Sequence, residues 1–314
     1  MKAIMYHYVR PGSLGWDRLK YLHLDNFRRQ LDWLAENGGL VSHEQFRKSV
    51  ENGEPRAGAV LTFDDGFADH YRYVFPELVS RNIWAIFFIP TGIYTSRRLL
   101  DVHRIHLITA RCSGTECLAA AQEAVTEDML LDSHIDEFKD RAYSRLADDA
   151  DTIAFKRALN YFICDEYREE VLDRIIDKLK LELPSAAEFY VSASELAEMA
   201  EAGMQIGSHS VSHLIMSKLE VARQRQEIAQ SFDYLNRVTG TPVETFCYPY
   251  GGFHSFTSDT ETLLTQAGCR YAFNFEPRDI SADDLRWRPQ ALPRYDCNHF
   301  PFGTAGMPEK TGVT

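Results

Sequence analysis

No stretch of the 314 residues offers the roughly 20 consecutive apolar residues that a bilayer-spanning helix needs. Positive charge is scarce as well: 34 Lys and Arg stand against 46 Asp and Glu, a net charge of −12. No basic surface is therefore expected to draw in a phosphate backbone or an anionic lipid, and nucleic acid is not an expected partner. The opening "MKAIMYHYVRPGSLGW" lacks the uninterrupted apolar core of a signal peptide, because tyrosines and a histidine break it up, and a cytoplasmic protein is the expectation. Cysteine is sparse and unpatterned. Cys112, Cys117, Cys164, Cys247, Cys269 and Cys297 form no CxxC pair and read as ordinary thiols of a reducing compartment, with Cys112 and Cys117 alone close enough in sequence for a local bridge. Internal repeats and low-complexity tracts are lacking too.

What is present is core: 45% of the residues are hydrophobic, ample for one large α/β domain or two small ones. Strand-length runs of apolar, β-branched and aromatic residues recur as "AIMYHYV" (3–9), "AVLTFD" (59–64), "WAIFFIP" (84–90), "MQIGSH" (204–209), "TFCYPY" (245–250), "YAFNF" (271–275) and "QALPRY" (290–295). Their near-continuous hydrophobicity predicts strands buried on both faces, as in a parallel sheet covered by helices. Helical patterns lie between them. In "LDNFRRQLDWLAENGG" Phe27, Leu31 and Leu34 share a face, Asp25 or Asn26 is placed to cap the start, and Gly38 to end it. "SASELAEMAEAGM" repeats the plan, with Ser192 or Ser194 as cap and Gly203 as stop. Strand and helix alternating over seven rounds predict an incomplete or distorted (β/α)7 barrel rather than an open doubly wound sheet.

One region breaks the rhythm. From about 97 to 187, between the third and fourth strands, there is helical pattern and charge but no strand. Leu172, Ile175, Ile176 and Leu179 follow amphipathic spacing, and Pro184 is placed to close that helix. This helical insertion reads as a packing subdomain, or as a lid or homo-oligomer surface beside the site. The barrel domain is expected to run over 1–302, and 303–314, "GTAGMPEKTGVT", as a disordered tail.

Two adjacent carboxylates, Asp64 and Asp65 in "TFDDGF", stand at the end of a predicted core strand. They cannot both be buried and ionised cheaply without a cation or hydrogen bonds nearby. A plain turn is the other reading, with an Asp capping the next helix and Gly66 easing the backbone. His209 and His213, four apart in "SHSVSH", would project to one side of a helical turn and can chelate one ion; two histidines and a carboxylate make an open zinc-type site. An HxxxH pair alone is as readily incidental. Both motifs directly follow predicted core strands, however, and so fall at the same end of a parallel barrel.

"TFDDGF", "SHSVSH" and "YPYGG", in that order, resemble the polysaccharide deacetylase family, also called the NodB-homology or carbohydrate esterase family 4 fold. The likeness covers about 1–95 and 188–296, and "YPYG" is similar to the branch that deacetylates poly-N-acetylglucosamine. The resemblance implies a metal-dependent enzyme that removes acetyl groups from sugars. It makes Asp65, His209 and His213 the metal ligands and Asp64 the general base. The metal is expected to be a divalent ion, zinc first, with Co2+, Mn2+ or Ni2+ also suited. The backbone N–H of Tyr250 would help bind the oxyanion, and Pro249, Tyr250, Gly251 and His254 would line the groove. Two departures stand out. The arginine usual before the proline-tyrosine pair is missing from "TPVETFCYPY", and "ALPRYD" holds no histidine where many members carry a general acid. The poly-N-acetylglucosamine branch carries that histidine on its first strand, so His7 in "IMYHYV" becomes the candidate acid and His254 its rival. Arg294, ending the last strand, can pair with Asp64 and lower its pKa, or serve as a structural ion pair. The expected substrate is an N-acetylated sugar, lipid-linked or nucleotide-linked; N-formyl or O-acetyl groups suit the same chemistry. A non-catalytic carbohydrate-binding or scaffold member is the alternative.

Overall fold

The first strand, β1 (Lys2–Tyr6), is buried along nearly its whole length and pairs in parallel with β2 (Ala59–Phe63), Tyr6 opposite Phe63. In this computed structural model, which describes residues 1–130 and 150–305, β3 (Ile86–Ile89), β4 (Gln205–Ser208), β5 (Thr245–Cys247), β6 (Tyr271–Phe273) and β7 (Tyr295–Asp296) complete a seven-stranded sheet. Its order is β6-β5-β4-β3-β2-β1-β7, and every pairing is parallel. Leu292 bridges to Phe273 of β6 while Tyr295, three residues on, pairs with Ile4 of β1, so the last segment touches both edges of the curled sheet. The expected α/β architecture with seven parallel strands is what forms.

Strands buried on both faces need two apolar sets, and alternation supplies them. Ile4, Tyr6, Leu61, Phe63, Phe87, Ile89, Phe246 and Ala272 pack outward against helices such as Leu24–Glu36 and Val221–Thr239. Ala3, Val60, Ile86, Phe88, Cys247, Tyr271, Phe273 and Leu292 gather in a second cluster inside the curl. Gly207 faces that interior because a Cβ there would meet Phe88 Cε1 at 2.6 Å and Thr245 Cγ2 at 2.7 Å. The large ring of Phe88 fills that space, and truncating it to alanine would cost about 3–5 kcal/mol.

Several local expectations shift. The helix Leu24–Glu36 is capped by His23, whose Nδ1 accepts the Asp25 N–H at 3.2 Å, and not by Asp25 or Asn26. For Ala193–Glu201 the cap is Ser192, in a reciprocal box with Glu195, and the Ser194 hydroxyl lies 3.1 Å from that of Ser192. The helix Asp165–Leu179 stops at Lys180, in the left-handed region with φ 52°, before Pro184 is reached. Within 290–295, Pro289–Ala291 forms a 3-10 turn and only Tyr295 enters a strand, because Pro293 has no N–H for a ladder. A short parallel ribbon, Val9–Arg10 with Leu22–His23, was not anticipated.

The chain divides into two compact units: Met1–Gly12, Tyr21–Arg98 and Ala186–Thr314 form one, and Ser13–Lys20 with Leu99–Ser185 the other. The second unit is helical, including Asp101–Arg111, Gly114–Ala124, Ala150–Arg157 and Asp165–Leu179. Its core joins Ile105, Ile108, Phe155, Leu159, Leu172 and Ile175, with Ile176 and Leu179 packed at the margin. No helix among the described residues is long and apolar enough to cross a membrane. Of the expected tail, 306–314 lies outside the described residues; Gly303 is buried, and its N–H donates to the Phe300 carbonyl at 3.1 Å.

Candidate active site

Parallel strands in register end together, so the residues just past them meet at one end of the sheet. Tyr6, Phe63, Ile89 and Ser208 close β1 to β4, and His7, Asp64, Pro90 and His209 come next. Asp64 N–H donates to Tyr6 O at 3.0 Å and His209 N–H to Ile89 O at 3.0 Å, which extends the ladder by one step. Alternation turns Asp64 and His209 to the same side as the interior cluster.

Asp64 and Asp65 part company at the backbone. Asp65 is in the left-handed region, φ 78°, so the chain turns sharply after the strand and the two side chains reach different partners. Asp65 Oδ1 lies 3.6 Å from His209 Nε2 and 3.3 Å from His213 Nε2. Asp64 takes a guanidinium: Arg294 Nη1 and Nη2 donate to its two oxygens at 2.8 Å each. Both carboxylates are buried, at 2% and 4% exposure.

Burial alone would raise the pKa of Asp64, but the charge and hydrogen bonds of Arg294 outweigh it and hold the carboxyl below its ordinary 3.8. Arg294 is 1% exposed. Desolvation works against its charge, and Asp64 more than restores it. The guanidinium also donates to Thr62 Oγ1 at 3.0 Å and lies over the rings of Phe88 and Phe273.

His209 Nδ1 sits 2.7 Å from the Cys247 carbonyl. A carbonyl can only accept, so Nδ1 carries the proton and Nε2 presents its lone pair toward Asp65. Burial first, and His213 second, lower the pKa of His209 to about 4, so the ring is neutral at physiological pH. His209 and His213 are not on a helical turn as the spacing implied. They flank a loop in which Ser210 and His213 adopt φ 64° and 56°, and those left-handed residues, not helical periodicity, bring the second ring round.

Among the described residues, two groups of potential ligands lie close enough to share an ion, Asp65 with His209 and His213, and Asp64 with His209 and Cys247, each with ligand atoms within 4.8 Å. Charge separates them. Arg294 Nη2 already lies 2.9 Å from Cys247 Sγ and 2.8 Å from Asp64 Oδ2, so the second group holds a cation of its own. The first fits a metal. Tetrahedral ligands about 2.0–2.1 Å from zinc stand about 3.3 Å apart, close to the 3.3 and 3.6 Å found, and two imidazoles with one carboxylate leave positions open.

The remaining expected residues surround these. His7 is partly exposed, its Nε2 4.0 Å from Asp65 Oδ2. The Tyr250 ring centroid is 5.3 Å from that of His213. Tyr250 and Gly251 are successive left-handed residues, φ 66° and 72°, in a turn that follows buried Pro249. Phe275 N–H donates to Gly251 O at 2.7 Å and pins that turn. His254 lies in the next turn, where its carbonyl accepts from Ser217 Oγ at 2.6 Å. Cys247 was missed as a site residue. Its thiol donates to Asp64 Oδ2 at 3.5 Å, and burial pushes its pKa well above the thiol range. The alternation in "TFCYPY" was the available signal, since it turns Cys247 inward.

Comparison with known proteins finds similarity over part of the sequence and over the fold. The family model described as polysaccharide deacetylase matches residues 161–272, the stretch that holds His209, His213 and Tyr250. Over that stretch the chain is similar to the polysaccharide deacetylase family. It is 36% identical over 93 residues to a poly-β-1,6-N-acetyl-D-glucosamine N-deacetylase of Escherichia coli K12, a match covering 29% of this chain and 14% of that relative's length. Among solved structures, the Streptococcus pyogenes deacetylase PplD in complex with acetate superposes with TM-score 0.59 at 15% identity, over 94% of this chain and 91% of that one. IcaB from Ammonifex degensii gives 0.52 at 17% identity, over 93% and 90%. At such identities the likeness is one of fold.

Proposed function

We propose that this chain hydrolyses the acetamide of an N-acetylated sugar with a divalent ion, zinc in the first instance, held by Asp65, His209 and His213. The observation that carries the reading is the division of the adjacent carboxylates: Asp65 faces two imidazoles and Asp64 faces a guanidinium. Similarity to the Escherichia coli enzyme that acts on poly-β-1,6-N-acetyl-D-glucosamine supports a glucosamine-type substrate.

When bound, the ion supplies Lewis acidity to the amide carbonyl and makes a neighbouring water more acidic. Asp64, ionised and aligned by Arg294, takes the proton of the attacking water. The Tyr250 N–H donates to the developing oxyanion. His7 gives a proton to the nitrogen as the C–N bond breaks, so that acetate and an amine leave. The Tyr250 ring, with Pro249, Gly251 and His254, shapes the groove for the sugar. N-formyl and O-acetyl esters fit the same steps.

Acetate release from a panel of N-acetyl sugars, with and without chelator, tests this. Release that a chelator abolishes and added Zn2+ restores is the expected result. Absence of both metal and acetate release would favour a carbohydrate-binding module on the same fold.

A further inference from the structure

The loop that carries both histidines is held from behind by a carboxylate with no part in the steps above. Glu227, on the helix Val221–Thr239, is 1% exposed. Its Oε2 accepts the N–H groups of Val211 at 2.9 Å and Ser212 at 2.7 Å, and its Oε1 accepts the Ser212 hydroxyl at 2.7 Å. Arg223, one turn earlier, donates to Oε1 through Nε at 3.1 Å and Nη2 at 2.7 Å. A buried carboxylate is costly unless it is well partnered, and here three of the five donors belong to Val211 and Ser212 of the loop.

That loop needs holding. Ser210 and His213 occupy the left-handed region without being glycine, which is sterically unfavourable unless the surroundings enforce it. On the opposite side the chain after β3 supplies two backbone bonds, Thr91 N–H to Ser210 O at 3.0 Å and Gly92 N–H to Val211 O at 2.8 Å. Between these fixings the Val211 and Ser212 amides point together at Glu227, and the turn they make swings His213 back until Nε2 is 3.3 Å from Asp65. Without the carboxylate, two half-buried amides and a hydroxyl lose their acceptor, and an extended loop that carries His213 away becomes the easier conformation.

We propose that Glu227 is a positioning residue for the metal, setting the affinity of the site through the conformation of loop 210–213. The inference rests on the metal reading above and is tested apart from it, on the whole chain, by Zn2+ affinity from chelator competition and by the Co2+ absorption spectrum. Glu227→Gln keeps the shape but replaces one acceptor oxygen with an amide donor. It is expected to weaken Zn2+ about 10-fold or more, at the lower end of what losing a direct hydrogen-bond partner of a ligand costs because Glu227 acts through Val211 and Ser212, and to alter the Co2+ bands. Ser212→Ala, which removes one of the three loop bonds, is expected to shift affinity the same way by less, and it decides the matter if Glu227→Gln does not fold. Gln224→Ala is the control. Gln224 is buried on the same helix and bonds Leu219 O at 2.9 Å and Thr260 Oγ1 at 2.6 Å, away from the loop. It is expected to lower thermal stability with Zn2+ affinity unchanged. Wild-type affinity in both loop variants, or an equal loss in Gln224→Ala, overturns the proposal while leaving the metal reading intact. A wild-type protein that takes up no ion overturns both.

Discussion

Arg294 grips Asp64 through both oxygens at 2.8 Å across 230 positions of sequence, from beneath, out of the interior of the curled sheet. A carboxylate so held is ionised at neutral pH and fixed in direction, and the same contact moderates its basicity. Replacing Arg294 with lysine keeps the charge but loses the planar two-pronged fit. We expect kcat/KM to fall about tenfold or more, and its acid limb to move to higher pH. The direction follows from the balance at Asp64: burial raises its pKa and Arg294 lowers it, so a looser hold lets burial gain. The stability this pair contributes is complete above 3.8 and disappears as pH falls through the lowered folded value. An unmoved acid limb in a folded Arg294→Lys protein would count against the pairing as a determinant of base strength.

Asp64→Asn separates the adjacent carboxylates by function. The amide cannot accept the proton, whereas Asp65, His209 and His213 are untouched. Turnover should fall about 100- to 10,000-fold, with Zn2+ still bound at wild-type stoichiometry. Near wild-type turnover would refute the assignment of Asp64 as base; loss of the metal would give Asp64 a ligand's part.

The seven strands were legible because burial on both faces leaves an unmistakable trace, and the motifs stood where those strands end. The geometry between them was less legible. Four-residue spacing of His209 and His213 implied a helix, whereas left-handed backbone at Ser210 and His213 achieves the approach, and nothing in "SHSVSH" announces a positive φ. Arg294 was a candidate from its strand end, but its passage between Phe88 and Phe273 depends on packing among residues far apart in sequence. The same holds for Glu227, which matters through what the fold sets beside it, and for the partners of Cys247, whose inward turn alone was readable from alternation.

Burial should keep the thiol of Cys247 silent. Its pKa lies well above the ordinary 9.0 and its exposure is 0%, so thiolate is scarce and reagents lack access. In native protein, alkylation should reach partly exposed Cys112 and Cys164 well before Cys247, with mass spectrometry of peptides as the readout. Equal labelling of Cys247 and Cys164 would show that the interior opens readily.

His70 makes stability depend on pH. Its ring is buried against Phe63, Phe67 and Phe87, and Nε2 donates to the His7 carbonyl at 2.7 Å. Burial lowers its pKa from 6.5 to about 4. The unfolded chain therefore binds the extra proton first, and stability declines as pH drops from 6.5 toward 4 by an amount on the order of 3 kcal/mol at full extent. His70→Gln should be less stable at pH 7 yet lose less between pH 7 and pH 4, as denaturant melts would record. Parallel pH curves for the two proteins would remove His70 from the account.

The last assignment to test is the proton donor, where His7 and His254 compete. Position favours His7: its Nε2 faces Asp65 at 4.0 Å from a side chain 39% exposed, next to the proposed ion and open to a ligand. An acid that protonates the leaving nitrogen matters most when that nitrogen leaves poorly. His7→Ala should thus lose about 100-fold or more in kcat on an N-acetyl sugar, and much less on an acetyl ester with a phenolate leaving group, which departs without a proton. A general structural collapse would depress both substrates equally. His254→Ala should raise KM for the sugar and leave kcat near wild type, since a groove residue acts in binding. If instead the selective loss on the amide appeared only in His254→Ala, the proton donor would be His254, and His7 would be left to shape the first strand's end.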